Sequence, residues 1–373
     1  MTTTKASPRV VSKVLVTPVG MQCNMACEYC CNQFCSDFVP RPVVTMPLGL
    51  LDRLYEGLTE VASPRCTIIW HGGEPTFAGP AYLRSAIEHQ AILRQRGIVV
   101  QNCLQTNATR LTDEWCELFR QYGVRPSISL DGPPTFHDRY RRTRSGHPTY
   151  GRARRGLDLL RKHDVRHGLL VVVTRSMVPH ADQVFDWLQS EEIRHVDLLP
   201  CFEPELIVDG RQHLSPTPDE YGRFMTDLFD RWWLNDDPGL DIRTFRDVLR
   251  SLVGGQPYVC SWRGSCSWIV SVNERGEVYP CARYHGLPDT SLGSLTTDTL
   301  SDLIRGRKHQ ELRLRMESGQ QDCRTCRWLS ACGGGCPFAR YALRQDFSSP
   351  YYYCRSRQLM FEHISRRVEE ASV

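Results

Sequence analysis

Long apolar runs are missing from this chain of 373 residues. No window approaches the roughly 18 apolar residues that cross a bilayer, and the opening MTTTKASPRVVS holds no core of a secretion signal. A membrane or secreted protein is therefore not expected, and a reducing cytoplasm is the expected setting. An excess of one charge is missing as well: 46 Lys and Arg face 42 Asp and Glu. That balance names no partner, and with no recognisable RNA-binding element it argues against nucleic acid. Internal repeats and low-complexity tracts are absent. What remains is an ordinary globular composition, 41% hydrophobic, long enough for one large domain and a smaller one. Cysteine alone is abundant, at 17 residues. An odd number of clustered thiols in a reducing compartment points to metal or chemistry rather than to disulfides.

From about Val10 to Pro200 the chain alternates short β-branched runs with amphipathic stretches. The runs are KVLVTP, CTIIW, IVVQNCLQTN, VRPSISLD, HGLLVVVT and HVDLLP, and helical patterns such as PLGLLDRLYEGLTEVA and ADQVFDWLQSEE lie between them. Six strands joined by helical crossovers predict a parallel α/β sheet, either doubly wound or a partial barrel, with chemistry at the C-terminal strand ends. Beyond residue 202 the rhythm breaks. Helices are expected near 218–234 and 243–253, then a hairpin in WIVSVNERGEVYP within a Cys- and Gly-rich region. A division into 1–240 and 241–373 follows.

Directly after KVLVTP, Cys23, Cys27 and Cys30 form C-x3-C-x2-C. Three thiolates can hold a [4Fe–4S] cluster with one iron left open to a ligand. Zinc is the other reading, although structural zinc is closed by four ligands, commonly two separated C-x2-C pairs. After the second run, IIWHGGEP places Gly72, Gly73 and Glu74 where glycine admits close backbone approach and a carboxylate can receive an ammonium group. Together the two motifs resemble the radical S-adenosylmethionine (SAM) superfamily. The resemblance implies a partial (β/α)6 barrel whose cluster binds SAM at its open iron and, on reduction, yields a 5′-deoxyadenosyl radical. It assigns Cys23, Cys27 and Cys30 as cluster ligands and Tyr29 as an aromatic near the adenine. Gly72, Gly73 and Glu74 would meet the methionyl group, and Thr106, Asn107, Ser129 and Asp131, from QTNAT and SISLDGP, become cofactor-side candidates.

The C-terminal cysteines resemble the SPASM extension of that superfamily, a small domain with a β-hairpin and helices. Its interleaved pattern would give Cys260, Cys266, Cys281 and Cys336 to one auxiliary [4Fe–4S] cluster and Cys323, Cys326, Cys332 and Cys354 to a second. Three clusters and SAM are thus the expected cofactors, with two zinc ribbons as the other reading of these eight thiols. Cys66, Cys103, Cys116 and Cys201 read as core fillers, and Cys31 and Cys35 as packing beside the first cluster.

Within this group the chain is most similar to anaerobic sulfatase-maturating enzymes, which would make formylglycine from Cys or Ser. That family carries an Asp after the third cysteine of the first auxiliary set as a proposed base. Here the position is Ala282, which cannot take a proton. Asn32 stands where an aromatic is usual. The expectation is therefore an oxidising enzyme that forms a cyclophane or thioether cross-link in a ribosomal peptide, with formylglycine formation as the alternative. A peptide or protein substrate and a flavodoxin- or ferredoxin-type reductant are the expected partners, with no nucleic acid and no membrane. Too few residues precede the first strand for a separate leader-binding domain, so a leader would bind elsewhere. RYRRTR, Arg139 to Arg144, reads as a solvated loop that could attract acidic partners.

Overall fold

The β-branched runs become strands of one ten-stranded sheet in the order β10-β9-β8-β1-β2-β3-β4-β5-β6-β7. The structure is a computed structural model and describes residues 11–30, 44–204, 207, 213–287, 289–319 and 321–371. Cys31, Asn32 and Cys35 lie outside the described residues. Strands β1 (Val11–Thr17), β2 (Ala62–Trp70), β3 (Val99–Thr106), β4 (Arg125–Ser129), β5 (Gly168–Val173) and β6 (His195–Pro200) pair parallel in chain order. This is the mixed α/β architecture expected of the partial barrel.

Register separates two faces. Val14 and Val16 pair with Ile68 and Trp70, all buried, and these face the helices. Lys13 and Leu15 pair with Thr67 and Ile69, half-buried, and these face the interior. Because side chains alternate with a period of two, His71 continues the inner row at the end of β2. The crossover helices bury apolar stripes at helical spacing; helix Leu48–Val61 buries Leu51, Leu54, Tyr55, Leu58 and Val61. Helix Pro218–Asn235 starts in a capping box between Thr217 and Glu220 and packs along the last helix, Cys354–Ala371.

The C-terminal hairpin is not set apart from the barrel. Strands β8 (Ile269–Asn273) and β9 (Glu277–Tyr279) pair antiparallel, β10 (Gly293–Ser294) adds to β9, and β8 pairs parallel with β1, Leu15 opposite Ser271. At the other edge β7 (Asp241–Ile242) pairs with β6. One sheet therefore runs through both sides of the expected division at residue 240.

Candidate active site

The loop after β1 carries the first three cysteines across the C-terminal strand ends. It is pinned by backbone bonds from Ala26 N–H to Arg142 O (2.8 Å) and from Glu28 N–H to Tyr140 O (3.0 Å). Gly73 explains how closely β2 approaches this loop. Its N–H donates to Gly20 O at 2.8 Å, and the Glu74 N–H to Gln22 O at 2.7 Å. A Cβ on Gly73 would lie 2.1 Å from Gln22 O, so glycine serves backbone packing here.

Glu74 is fully buried, and its carboxylate already takes four protein donors. Oε1 accepts from Thr76 N–H, Thr76 Oγ1 and Thr106 Oγ1, and Oε2 accepts from Asn107 N–H at 2.8 Å. It braces the ends of β2 and β3. Asn107 Nδ2 reaches Cys23 Sγ at 3.7 Å, and Ser129 Oγ accepts from Gln105 on the inner face.

Asp131 is likewise buried and engaged. It accepts from Val172 N–H (2.9 Å), Arg141 Nε (2.7 Å) and the Tyr29 hydroxyl. Arg141 is therefore no solvated loop residue. Buried between Asp131 and the cysteine loop, it lies over the Tyr29 ring, and its Nη1 reaches Cys27 Sγ at 3.9 Å. His137 holds this layer from below. Its Nδ1 accepts from Asp131 N–H at 3.2 Å, which leaves the proton on Nε2, 3.1 Å from Thr149 Oγ1; burial holds the ring neutral, its pKa down to about 2. Nothing in the hydrophobic pattern marks Arg141; only its place among six residues with four arginines could have drawn notice.

The eight C-terminal thiols fall into two groups. Cys260, Cys266, Cys281 and Cys336 lie close enough for charge on one to act on the others, and so do Cys323, Cys326, Cys332 and Cys354. The chain passes from the second group to the first in four residues. Gly333, Gly334 and Gly335, with φ of 64°, 80° and 85°, carry it from Cys332 to Cys336 in a conformation that favours glycine. Cys336 stands at the N-cap of helix Pro337–Arg344, its sulfur beside the backbone N–H groups of Phe338 and Ala339 without a capping hydrogen bond. Burial would push that thiol up, but the charge of Arg283 together with those amides holds it below its ordinary value.

Do these residues fit iron–sulfur clusters? Burial pushes Cys23 up to about 12 and Cys27 to about 11, so thiolates here need a cationic body beside them. Among the described residues no three His, Cys, Asp or Glu converge on a single ion. Of the four other described cysteines, Cys66, Cys116 and Cys201 are buried, whereas Cys103 is half-buried on the inner row of β3, level with Ile69.

Ala282 is buried at the start of a short turn that packs on β1 and β8, and its neighbour Arg283 points its Nη2 at Cys336 Sγ, 3.1 Å away. Sequence reasoning passed over His71. Among the described residues its buried Nδ1 has no hydrogen-bond partner, and burial, aided by the charge of Arg283, lowers its pKa to about 4.

Residues 17–186 match the pattern of the Radical SAM superfamily, and residues 260–327 match an iron-sulfur cluster-binding domain named SPASM. A serine-type anaerobic sulfatase-maturating enzyme of Bacteroides thetaiotaomicron is 30% identical over 370 residues, 94% of this chain and 89% of that protein. A cysteine-type enzyme of Clostridium perfringens is 27% identical over 95% of this chain and 96% of its own. Among solved structures, anSMEcpe with bound AdoMet superposes with a TM-score of 0.87 at 26% identity, covering 96% of this chain and 98% of that one. The structure of Streptococcus suis SuiB bound to its precursor peptide SuiA shares the fold, with a TM-score of 0.64 at 14% identity.

Proposed function

Because the chain belongs to the radical SAM superfamily, with a SPASM region and full-length likeness to anaerobic sulfatase-maturating enzymes, we propose that it oxidises a Cys or Ser side chain of a peptide at its β-carbon. It is a radical SAM enzyme with a SAM-binding [4Fe–4S] cluster and auxiliary clusters. The likeness over 94% of this chain and 89% of the serine-type relative, and over 95% and 96% for the cysteine-type one, carries this reading.

In this reading Cys23, Cys27 and Cys30 hold the SAM-binding cluster. Cys260, Cys266, Cys281 and Cys336 hold one auxiliary cluster, and Cys323, Cys326, Cys332 and Cys354 another. Bound together, the first cluster and SAM supply a 5′-deoxyadenosyl radical. Glu74, Thr106 and Asn107 fix the two strand ends beside the cysteine loop, Tyr29 and Asp131 orient the loop's far side, and Ser129 faces the interior where SAM would lie. The peptide loses a β-hydrogen atom, then an electron and a proton, and a thioaldehyde from Cys takes up water and releases sulfide. In this reading His71, neutral on the inner row and with a buried Nδ1 that has no hydrogen-bond partner among the described residues, serves as the proton acceptor in place of a carboxylate at 282.

Formylglycine formation takes first place because both named relatives are sulfatase maturases. Ala282 favours a second reading, a cross-link, since no acid follows Cys281. A peptide carrying C-x-P-x-R, incubated anaerobically with reduced enzyme and SAM and then treated with a hydrazide, should give a hydrazone. A product that has lost two hydrogens yet resists the hydrazide would give first place to the cross-link.

A further inference from the structure

Each group of cysteines has its own arginine. Arg141 reaches Cys27 Sγ at 3.9 Å, Arg283 reaches Cys336 Sγ at 3.1 Å, and Arg357 reaches Cys332 Sγ at 3.3 Å. Their surroundings differ. Arg141 forms an ion pair with buried Asp131 at 2.7 Å, and a second buried carboxylate, Glu74, acts on Cys23. Among the described residues neither Arg283 nor Arg357 has a carboxylate partner. Aromatic rings flank them instead: Arg283 lies 4.8 Å from the Phe338 ring centre, and Arg357 lies 4.0 Å from Trp262 and 4.4 Å from Tyr351. A further arginine, Arg340, is fully buried. Its Nη2 donates to Met316 O at 2.7 Å, while Nε and Nη1 find no partner among the described residues, and its neighbours in charge include Cys323, Cys336 and Cys266.

We propose that Arg283 and Arg357 raise the reduction potentials of the two auxiliary clusters above that of the SAM-binding cluster, whose own arginine is neutralised by Asp131. The proposal rests on the reading that the three thiol groups hold clusters. A cluster that gains an electron gains negative charge, so a fixed cation hydrogen-bonded to its ligand sulfur favours the reduced form, and a buried carboxylate opposes it. The arrangement suits the division of labour: a strongly reducing centre where SAM is cleaved, and more readily reduced centres where an electron leaves the substrate. Arg283 and Arg357 are positioning residues here, acting through the cysteines they touch.

The test is an EPR-monitored redox titration of the full-length, anaerobically reconstituted protein, after iron and sulfide have been counted. Arg283→Gln and Arg357→Gln should each make one auxiliary signal harder to reduce by at least tenfold, which for one electron is 59 mV. Asp131→Asn should shift the SAM-binding cluster the other way. Arg283→Lys, keeping charge without the planar fork, should fall between wild type and Arg283→Gln, and it carries the comparison if Arg283→Gln binds less iron. Unchanged midpoints in iron-replete variants, or wild-type auxiliary clusters harder to reduce than the SAM-binding one, would overturn the proposal. About four iron per wild-type chain would instead overturn the three-cluster reading beneath it.

Discussion

Around Cys23 and Cys27 the fixed charges include two buried carboxylates, Glu74 and Asp131, and an arginine already paired with one of them. Around Cys260, Cys336 and Cys332 they are cations, two guanidinium groups flanked by aromatic rings and, near Cys260, the Lys13 ammonium. Both regions present thiols at similar burial, so the ligand type alone does not distinguish them. Second-layer charge does. The same contrast appears in backbone design: the first loop is fixed by strand ends that meet it at glycine, whereas the C-terminal thiols are tied by a glycine run that hands the chain from one group to the other.

The largest effect should separate the two regions outright. Cys27→Ala should abolish release of 5′-deoxyadenosine, while Cys336→Ala should retain release and lose the peptide product; chromatography of both products from one reaction decides it. Equal loss of 5′-deoxyadenosine in both variants would break the division. Gly73→Ala comes next. Its new Cβ, 2.1 Å from a backbone oxygen, must displace the cysteine loop, and a displacement near 1 Å commonly costs about 10²-fold in rate. Gly49→Ala, with open space around it, should leave the rate unchanged. His71→Gln should lower peptide oxidation by roughly 10²-fold, as loss of a positioned base does, with 5′-deoxyadenosine still released. Ala282→Asp should partly restore oxidation in that background.

The smallest effect concerns the layer under the first loop. His137 has a folded pKa of about 2 against 6.5 for the free side chain. The unfolded chain therefore takes up a proton that the folded one refuses. Its contribution to stability is complete above pH 6.5 and falls by about 1.4 kcal/mol per unit as pH drops below it. His137→Gln should flatten the decline of Tm between pH 6.5 and 5.

Much of this was legible in sequence because it is local. The six strands announce themselves as β-branched runs, and the helix at Pro218–Asn235 falls where one was expected near 218–234. The C-terminal thiols that the SPASM resemblance assigns to each set lie near enough for their charges to act on one another. What could not be read is long-range. Ser271 Oγ donates to Leu15 O across 256 residues, joining the hairpin to β1; no periodicity encodes that pairing. Asp131 and Glu74 are visible as motif residues, but their satisfaction by protein donors depends on Arg141 at the end of helix Pro134–Tyr140 and on Thr106 and Asn107 at the end of β3. RYRRTR looked like a solvated run because charge usually is; burial of Arg141 follows only from the carboxylate it meets.

Hydrogen abstraction from the β-carbon of a peptide Cys or Ser is the central step of the proposed function. A C-x-P-x-R peptide with deuterium on the cysteine β-carbon, incubated with reduced enzyme and SAM, tests this directly by mass spectrometry of the nucleoside product. The account predicts 5′-deoxyadenosine carrying one deuterium. Unlabelled 5′-deoxyadenosine, released while the peptide is consumed, would contradict it.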